Sequence, residues 1–484
     1  MSWDGINARN FVGGRFVDAS GGETLTNVNP ASGELIGSIP RSRSADVDAA
    51  VAAAKAAGQG PWGRTSAVER AALLDRVACL IESRLEAFAI VESEDQGKPV
   101  GLASRVDIPR AVANFRFFAG MVRHKEEGAH HMASALNYTV RKPVGVCALI
   151  TPWNLPLYLL TWKVAPALAM GNTIVAKPSE LTPRTATLLA GVLSEAGLPE
   201  GVFNLLHGLG PEVGAPMTAH KDVKLVSFTG GTATGEHVAR AAAPSFKKLS
   251  LELGGKNATL VFADADLDAA IEGAARAAFA NQGEICLCGS RILVERSVHD
   301  RLVAGLVARA EALRVGDPAD PTTDVGALVS ADHHAKVSGY VALARAEGGT
   351  IAAGGQVPEL PGALQGGNFL RPTVVTGLPA TCRTATEEIF GPVVTVHPFD
   401  TEAEAIELAN GVRYGLASSL WTSDLKRAHR VSQALDVGMV WVNTWLLRDL
   451  RVPFGGVKDS GVGREGGKWS VEFYSEAKNV CIAL

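Results

Sequence analysis

The chain has 484 residues, of which 47% are hydrophobic and 20% are charged, and its formal net charge is −4 at pH 7. This length exceeds what one small hydrophobic core can organise, so two or more domains are expected. The mild charge gives no reason to propose nucleic acid or an anionic membrane as a partner. The six cysteines are scattered. Because they lack the paired spacing of a zinc site, no metal is expected.

The sequence shows no targeting or membrane signal. Residues 1–10 are polar and lack the apolar core of a signal peptide. Apolar runs elsewhere are interrupted by Pro, Gly or charge well short of the roughly 18 residues that suggest a transmembrane helix. Scattered cysteines in a chain of this size are typical of the reducing cytosol. We therefore expect a cytoplasmic protein.

The first 140 residues are predicted to form short strands, then helices, then one further strand. Turn signals at Gly13-Gly14 and Asn29-Pro30 divide the first strands. Alanine-rich periodicity predicts the helices, and Ser66 and Glu69 have capping-box spacing at the start of one of them. The predicted elements are short strands within 11–40, helices over 44–58, 66–97 and 107–122, and a strand over 136–140.

From residue 143 onward, strands and helices alternate. Such alternation indicates parallel, doubly wound sheets, so the predicted fold class is α/β. The first series has strands over 144–150, 173–177, 202–206 and 225–228, with helices ending at 169, starting near 182, covering 213–219 and following 235. A second series begins at 260–262, continues through 291–294 and 302–312, and ends at 439–442, and a last apolar strand covers 479–484.

Two segments carry side chains suited to covalent catalysis. Cys286 lies on a glycine-flanked turn within 281–288, and Glu252 precedes two glycines within 251–256. A cysteine in an apolar context is more often an inert core residue, and a glutamate before Gly-Gly can simply mark a turn. A thiol and a carboxylate that converge on one pocket would support attack on a carbonyl, followed by activation of water.

Two further segments are candidates for a phosphate or cofactor site. Residues 228–235, Phe-Thr-Gly-Gly-Thr-Ala-Thr-Gly, follow a predicted strand and open a helix, where backbone N–H groups and the helix dipole favour phosphate. They do not form the G-x-G-x-x-G pattern, and a loop whose glycines serve only turn geometry is an equally good interpretation. Lys177 and Glu180 follow another strand end, where open α/β sheets bind ligands, although solvated loop charges are the commoner case.

Together and in this order, the segments resemble the aldehyde dehydrogenase family over essentially the whole chain. The resemblance rests on 152–154, 177–180, 228–235, 252–256, 283–286, 387–392 and 453–456. It implies an aldehyde dehydrogenase-like fold with two doubly wound parallel-sheet domains and a small β oligomerisation element, in a homodimer or homotetramer. The implied boundaries are 1–124 and 144–254 for an NAD-binding domain, 255–459 for a catalytic domain, and 125–143 with 473–484 for the oligomerisation element.

The resemblance implies four catalytic residues. Cys286 matches the nucleophile that forms a thiohemiacetal and then a thioester. The side-chain amide of Asn154 and the backbone N–H of Cys286 match the donors to the developing oxyanion. Glu252 matches the base that activates water for hydrolysis, and Glu465 matches a position that relays protons from that base. The presence of Glu252 disfavours a CoA-acylating relative, and the nucleophile, amide and base together argue against a non-enzymatic descendant.

The resemblance also implies NAD as the cofactor. Glu180 matches a carboxylate that contacts the adenine ribose and would repel the 2′-phosphate of NADP. Glu388 matches a residue that holds the nicotinamide ribose. Two departures from the family pattern are Glu284, where Gln is common, and Gly231, where Ser is common. The implied cofactor-binding residues are Thr151, Trp153, Lys177, Ser179, Glu180, Gly210, Phe228, Gly230, Gly231, Gly235, Leu253, Glu388 and Phe390.

Arg448 and Arg110 suggest the kind of substrate. In family members that act on simple aldehydes, the position of Arg448 usually carries an aromatic or aliphatic group that lines the substrate tunnel, and Arg110 begins the helix that lines the same tunnel. Two arginines there would bind a carboxylate through directional, bidentate hydrogen bonds. The alternative is that both are surface or domain-interface arginines, for which Asp107 and Asp449 are available partners. Further candidates are Arg105, Arg116 and Arg451.

The segments 107–110 and 445–451 are similar to the family branch that oxidises 2-hydroxymuconate and 2-aminomuconate 6-semialdehydes. The implied substrate is a small unsaturated ω-oxo acid from the ring-cleavage catabolism of aromatic compounds. Succinate semialdehyde stays an alternative, because it also presents a carboxylate. Betaine aldehyde fits less well, because a quaternary ammonium needs an aromatic or acidic cage. A generic aliphatic aldehyde is the remaining alternative.

Overall fold

The computed structural model describes residues 7–484, in which helices and strands alternate along most of the chain. The strands are β1 (Asn10–Val12), β2 (Arg15–Val17), β3 (Thr24–Val28), β4 (Leu35–Pro40), β5 (Ala129–Met132), β6 (Ala135–Pro143), β7 (Val146–Ile150), β8 (Thr173–Lys177), β9 (Phe203–Leu205), β10 (Val223–Thr229), β11 (Lys248–Glu252), β12 (Ala258–Val261), β13 (Arg291–Glu295), β14 (Thr350–Ala353), β15 (Thr373–Thr376), β16 (Val393–Phe399), β17 (Tyr414–Gly415), β18 (Ala417–Trp421), β19 (Met439–Val442), β20 (Val457–Lys458), β21 (Gly461–Val462) and β22 (Ser475–Ala483). The helices are α1 (Ser44–Gln59), α2 (Ala67–Glu82), α3 (Leu85–Gln96), α4 (Val100–Leu102), α5 (Ile108–Arg123), α6 (Pro156–Ala169), α7 (Arg184–Glu195), α8 (Ala215–Ala219), α9 (Thr232–Ala242), α10 (Leu267–Phe279), α11 (His299–Ala312), α12 (Ala331–Ala346), α13 (Arg383–Thr386), α14 (Glu402–Asn410), α15 (Leu425–Ala434) and α16 (Gly467–Phe473).

The first large sheet has eight strands in the order β2-β1-β9-β8-β7-β10-β11-β21. The strands from β9 to β11 are parallel, and antiparallel strands close both edges. From β7 the chain continues to β8 and β9 on one side, and then returns to β10 and β11 on the other. The loops after β7 and β10 therefore meet where the strand order reverses, which is where open α/β sheets bind ligands.

The second large sheet has seven strands in the order β14-β15-β16-β13-β12-β18-β19, and only the β14–β15 pair is antiparallel. The chain passes from Glu252, at the carboxyl end of β11, through two glycines into the amino end of β12. Asn257, just before β12, donates hydrogen bonds to the backbone carbonyls of Cys286 and Cys288 at 2.7 and 2.9 Å. The facing edges of the two sheets thus bring the predicted base and nucleophile to one region.

A smaller antiparallel sheet has the order β22-β6-β5. Strand β22 pairs with β6 along its whole length, from Ser475 opposite Pro143 to Ala483 opposite Ala135. The two segments predicted to form an oligomerisation element therefore pair with each other. Their role in assembly stays a prediction.

Helix α6 is buried along its entire length. It is apolar on nearly every side, which suits a helix enclosed by other elements, and it packs against α2, α5, α7 and strands β7 and β8. Its amino end is tied by Glu92, whose carboxylate accepts a hydrogen bond from the backbone N–H of Leu157 at 3.2 Å. Its polar exceptions, including Tyr158 and Lys163, consequently lie in the protein interior.

Two predicted helices differ from those observed. The segment 66–97 forms two helices, because Arg84 adopts a non-helical conformation between α2 and α3. The capping box at its start is present, with Ser66 N donating to Glu69 Oε2 at 2.6 Å. Helix α9 begins at Thr232 rather than after Gly235, so this glycine lies in its first turn.

Neither a membrane span nor a metal centre is found in residues 7–484. None of the helices there combines the length and apolar character that crossing a bilayer requires. No three His, Cys, Asp or Glu side chains in that part of the chain are grouped to hold a metal ion.

Candidate active site

The loop that carries Cys286 joins α10 to β13 and has an unusual backbone. Asn281 and Gln282 have φ values of 51° and 54°, which non-glycine residues rarely adopt. Gly283 has φ 72°, and a Cβ there would lie 2.2 Å from the carbonyl oxygen of Gly391. Such strain is retained where the surrounding structure enforces it, often at functional sites.

The Cys286 thiol is partly buried among negative groups. Burial raises the pKa of this thiol, and the nearby carboxylates of Glu252 and Glu388 raise it further, whereas Arg448 lowers it. The raised pKa favours the thiol over the thiolate. Nucleophilic attack requires a base that removes its proton.

Asn154 is fixed through both its side chain and its backbone. Its Nδ2 donates to the carbonyl of Glu284 at 2.8 Å, which leaves the second amide proton for another acceptor. The Nζ of Lys98 donates to the Asn154 carbonyl at 3.0 Å, and the same buried ammonium pairs with Asp107 at 2.7 Å. The amide can therefore act as a preorganised donor.

Glu252 ends β11, and neither of its buried carboxylate oxygens has a hydrogen-bond partner within the described residues. Burial raises the pKa of Glu252 well above its usual range, and the charge of Glu465 adds to the rise. Glu465 itself accepts hydrogen bonds from Lys163 Nζ at 2.7 Å and from Ser227 Oγ at 3.2 Å. Glu465 and its partner Lys163 thus lie close enough to Glu252 to influence its pKa, and a role in moving its proton stays a prediction.

The carboxyl ends of β7 and β8 present the first predicted cofactor residues. Lys177 is buried and donates to Glu180 Oε2 at 3.1 Å, whereas 33% of the Glu180 side chain is exposed. Ser179 Oγ accepts from the backbone N–H of Leu181 at 3.2 Å and closes the turn. The Thr151 hydroxyl is buried and lacks a hydrogen-bond partner among residues 7–484. A hydroxyl and a carboxylate therefore lie just beyond the carboxyl ends of two adjacent strands of the first sheet.

Glycines shape the loop between β10 and α9. A Cβ on Gly230 would lie 2.5 Å from the ring of Phe228, and one on Gly235 would lie 2.5 Å from the side chain of Leu253. Gly231 caps α9, and a Cβ there would meet no heavy atom within 4 Å. Two of these glycines are required by close packing, while Gly231 leaves room beside the amino end of the helix.

Gly210 lies further along the same edge of the sheet, after β9. It begins the helical turn Gly210–Gly214 that leads into α8. A Cβ at Gly210 would meet no heavy atom within 4 Å. Packing therefore gives no reason for glycine here, and a contact with the cofactor stays a prediction.

Trp153 follows β7 of the first large sheet, whereas Glu388 and Phe390 precede β16 of the second. Glu388 Oε1 accepts from the backbone N–H of Gly255 at 2.8 Å, and burial raises the pKa of this carboxyl. The ring of Phe390 meets that of Trp153 edge-on, with centroids 5.3 Å apart. His333 packs on Trp153 at 5.0 Å, and its Nε2 lies 2.7 Å from the carbonyl oxygen of Phe390. These contacts form an aromatic wall beside a buried carboxylate.

Arg110 and Arg448 converge on the aromatic side chains of α6. The guanidinium carbon of Arg110 lies 5.1 Å from the ring centroid of Tyr158 and 5.6 Å from that of Trp162. The guanidinium carbon of Arg448 lies 4.8 Å from Trp162 and 3.9 Å from Phe454. Both arginines therefore share one aromatic neighbour.

Neither arginine pairs with the aspartate that lies near it in sequence. Asp107 and Asp449 each pair with another cation, at 2.7 and 2.6 Å, and neither arginine forms an ion pair within the described residues. Arg110 Nη2 and Arg448 Nε are buried and without hydrogen-bond partners there. Burial, and to a smaller extent the charge of Arg448, lowers the pKa of Arg110. The structure thus excludes the pairing with Asp107 and Asp449 that the sequence left open.

The further arginine candidates lie elsewhere. Arg105 is exposed, Arg116 pairs with Glu82, and Arg451 pairs with Asp449. None of the three combines partial burial with the absence of an ion pair, as Arg110 and Arg448 do.

The sequence predicted helix α6 but not the contacts that its side chains make with the site. Tyr158 and Trp162 contact both arginines, and Lys163 pairs with Glu465. One signal was available, because a lysine within an otherwise apolar helix needs a buried partner. Its partner is 302 residues away in sequence, so the pairing required the fold.

Comparison with known proteins identifies relatives over the whole chain. The aldehyde dehydrogenase family model matches residues 16–480. A 2-hydroxymuconic semialdehyde dehydrogenase of Pseudomonas sp. (strain CF600) is 52% identical over 482 residues, which cover 98% of this chain and 99% of the relative. A 2-aminomuconic semialdehyde dehydrogenase of Danio rerio is 50% identical over 477 residues, which cover 98% of this chain and 97% of the relative. The NAD+ complex of an aldehyde dehydrogenase from Bacillus cereus matches with a TM-score of 0.97 at 40% identity, over 100% of this chain and 98% of that chain.

These relatives confirm the resemblance that the sequence motifs indicated, including its muconate semialdehyde branch. The solved structure confirms the aldehyde dehydrogenase-like α/β fold. With a family model that matches nearly its full length, the chain belongs to the aldehyde dehydrogenase family.

Proposed function

We propose that the protein is an NAD-dependent, hydrolytic aldehyde dehydrogenase that oxidises 2-hydroxymuconate 6-semialdehyde in the catabolism of aromatic compounds. The observation that carries the choice of substrate is the pair of half-buried guanidinium groups of Arg110 and Arg448 over Trp162, each of which has one buried nitrogen without a hydrogen-bond partner in the described structure. An ω-oxo acid has an aldehyde at one end and a carboxylate at the other. It can therefore reach Cys286 and the arginines together, and relatives bearing this name support the choice.

The residues at the edge of the first sheet fit NAD. The buried, unpartnered Thr151 hydroxyl offers a hydrogen bond, and the glycines permit a close approach to the backbone. The first turn of α9 offers N–H groups to a pyrophosphate, Glu180 would accept from the adenine ribose, and Glu388 from the nicotinamide ribose. When bound, NAD supplies the hydride acceptor. The other residues assigned to its binding are Trp153, Lys177, Ser179, Gly210, Phe228, Gly230, Gly231, Gly235, Leu253 and Phe390.

The acylation step uses three side chains of this protein. Glu252, ionised and without a partner, can take the proton of the Cys286 thiol. The thiolate then attacks the aldehyde carbon, and a carbon–sulfur bond forms. The free amide proton of Asn154 and the backbone N–H of Cys286 stabilise the oxyanion. Loss of hydride from the same carbon leaves a thioester on Cys286.

Hydrolysis needs Glu252 a second time. Glu465 and Lys163 lie where they can carry its proton away. The carboxylate then takes a proton from water, and the resulting hydroxide attacks the thioester. The carbon–sulfur bond breaks, the carboxylic acid product leaves, and the Cys286 thiolate is regenerated.

The second candidate substrate is 2-aminomuconate 6-semialdehyde, because relatives carry that name as well. It presents the same carboxylate to Arg110 and Arg448. Betaine aldehyde is opposed by the same two charges, because a quaternary ammonium would meet like charge instead of an aromatic or acidic cage.

We assign residues up to 124 together with 144–254 to NAD binding, 255–459 to catalysis, and 125–143 with 473–484 to assembly as a homodimer or homotetramer. Met132 and Ile482, on the small sheet, are exposed apolar side chains that a partner subunit would cover. All six cysteines are free, which supports a location in the reducing cytosol.

The test measures NADH formation by purified protein with four aldehydes. They are enzymatically generated 2-hydroxymuconate 6-semialdehyde, succinate semialdehyde, betaine aldehyde and hexanal. We expect kcat/KM for the muconate semialdehyde to exceed the others by at least about tenfold. Equal or better turnover of hexanal would contradict the substrate assignment while leaving the dehydrogenase chemistry intact.

A further inference from the structure

The hydroxyl of Tyr158 connects α6 to Arg448. It accepts a hydrogen bond from Arg448 Nη1 at 2.8 Å, and the tyrosine is only 8% exposed. A phenol can donate one hydrogen bond while accepting another. No side chain or carbonyl among residues 7–484 accepts the Tyr158 proton, so this donor is free within the pocket.

The same tyrosine also holds Arg110. Its ring lies under the Arg110 guanidinium at 5.1 Å, an attractive cation–π geometry. Asn114 completes the arrangement, because its Oδ1 accepts from Arg110 Nε at 3.2 Å and its Nδ2 donates to the Tyr158 carbonyl at 3.2 Å. Tyr158 therefore contacts both arginines, through its hydroxyl and its ring.

The groups that hold the two arginines, the amide of Asn114 and the hydroxyl and ring of Tyr158, carry no formal charge. A carboxylate at the same place would fix the two guanidinium groups equally well, but it would also neutralise them. A phenol and an amide fix the geometry and leave both positive charges in place. The two cations consequently stay available to an anion that enters the pocket.

We propose that Tyr158 is a positioning and specificity residue, which holds Arg448 and Arg110 in place and donates its hydroxyl proton to the carboxylate end of the substrate. This inference rests on the proposed function, because it requires an aldehyde that carries a carboxylate. An uncharged aldehyde gains nothing from the arrangement. Tyr158 therefore contributes to selectivity as well as to affinity.

The substitution Tyr158→Phe tests the proposal because it keeps the ring and removes only the hydroxyl. We expect KM for 2-hydroxymuconate 6-semialdehyde to rise about tenfold, the effect of losing one hydrogen bond to a charged group, while kcat changes less than about twofold. The kcat/KM for hexanal should not change. Tyr138→Phe, on β6, is the matched control and should alter neither substrate.

A double-mutant cycle with Arg448→Ala examines how Tyr158 acts. The positioning role predicts that adding Tyr158→Phe to Arg448→Ala raises KM much less than Tyr158→Phe does in the wild type, whereas direct donation to the substrate alone would give the full rise in both backgrounds. If the increases in log KM of the two single variants add up in the double variant, the positioning role is overturned. It is also overturned if the single variant Tyr158→Phe has the same KM as the wild type.

The same kinetic measurements distinguish a failure of the proposed function from a failure of the role of Tyr158. Wild-type protein without a preference for carboxylated over uncharged aldehydes would overturn the proposed function. A preference that survives Tyr158→Phe intact would overturn only the role of Tyr158.

Discussion

The two ends of the proposed substrate site each hold ionisable side chains that form no ion pair among residues 7–484, acidic at one end and basic at the other. At the reactive end, Glu252 has no hydrogen-bond partner in the described structure, and burial raises its pKa. At the far end, Arg110 and Arg448 have no carboxylate partner among residues 7–484, and aromatic and amide groups hold them instead. Without a hydrogen-bond partner, the carboxylate of Glu252 is a stronger base. Without a carboxylate partner, the two arginines are free to bind the carboxylate of a substrate. The opposed charges would also orient an ω-oxo acid, with its carboxylate away from Glu252.

The largest effect should come from removing the nucleophile at the reactive end. We expect Cys286→Ala to lower kcat by at least about a thousandfold, because no other group can form the covalent intermediate. NAD should still raise the melting temperature of this variant, because the residues assigned to cofactor binding are unchanged. Cys288→Ala is the matched control. It removes a buried neighbouring thiol and should retain most activity, and a comparable loss there would contradict the assignment of Cys286.

Removing the base should have the next largest effect. Glu252→Gln keeps the shape of the side chain but cannot accept a proton, so we expect kcat to fall about a hundredfold. In the wild type, activity should decline as the pH falls below the raised pKa of Glu252, and the variant should lose this dependence. The pH profile of kcat is the measurement. Glu284→Gln, which alters another buried carboxyl in the same region, should leave both the rate and the profile close to wild type.

At the far end, we expect Arg448→Ala to raise KM for 2-hydroxymuconate 6-semialdehyde about tenfold to a hundredfold, because a charge-assisted contact is lost. The kcat/KM for hexanal should stay constant or improve. Steady-state kinetics with both aldehydes provide the comparison. Arg451→Ala, which removes an exposed arginine paired with Asp449, serves as the control. An unchanged KM in Arg448→Ala would show that Arg448 does not bind the carboxylate of the substrate.

The smallest effect concerns stability. A buried carboxyl with a raised pKa keeps its proton in the folded state at pH values where the unfolded chain has released it. Folding stability should therefore decrease as the pH rises from the ordinary glutamate pKa towards the raised pKa of Glu252. Glu252→Gln should flatten this decrease, and the variant should gain on the order of 1 kcal/mol at the alkaline end. Denaturant unfolding across pH would measure it, with exposed Glu359→Gln as the control.

The sequence predicted the first series of strands well. The predicted strand 173–177 coincides with Thr173–Lys177, because a fully buried strand is a short apolar run with clear turn residues on either side. The segment 66–97 was predicted less well, since helical periodicity continues across the break at Arg84. Helix α9 was placed too late, because Gly235 was read as a boundary although its missing Cβ makes room for Leu253.

The candidate site was predictable where chemistry depends on short motifs, and not where it depends on distant partners. Proximity in sequence suggested that Asp107 pairs with Arg110, but Asp107 turns inward to Lys98. Likewise, Tyr158 and Arg448 are 290 residues apart in sequence. Sequence periodicity indicates that a residue is buried but does not show what it contacts.

Helix α6 carries both residues that contact the substrate arginines and a residue that contacts Glu465, so substrate specificity and turnover are linked through one helix. Tyr158 and Trp162 are four residues apart and share one face, where they meet the arginines. Lys163 is the next residue and pairs with Glu465, to which we assign the relay of protons from Glu252. A library that varies 158 and 162 to admit new aldehydes would therefore also disturb the helix that sets the position of Lys163. New specificities selected at these two sites should often arrive with slower turnover, and compensating changes are best sought around Glu465 rather than in the pocket itself.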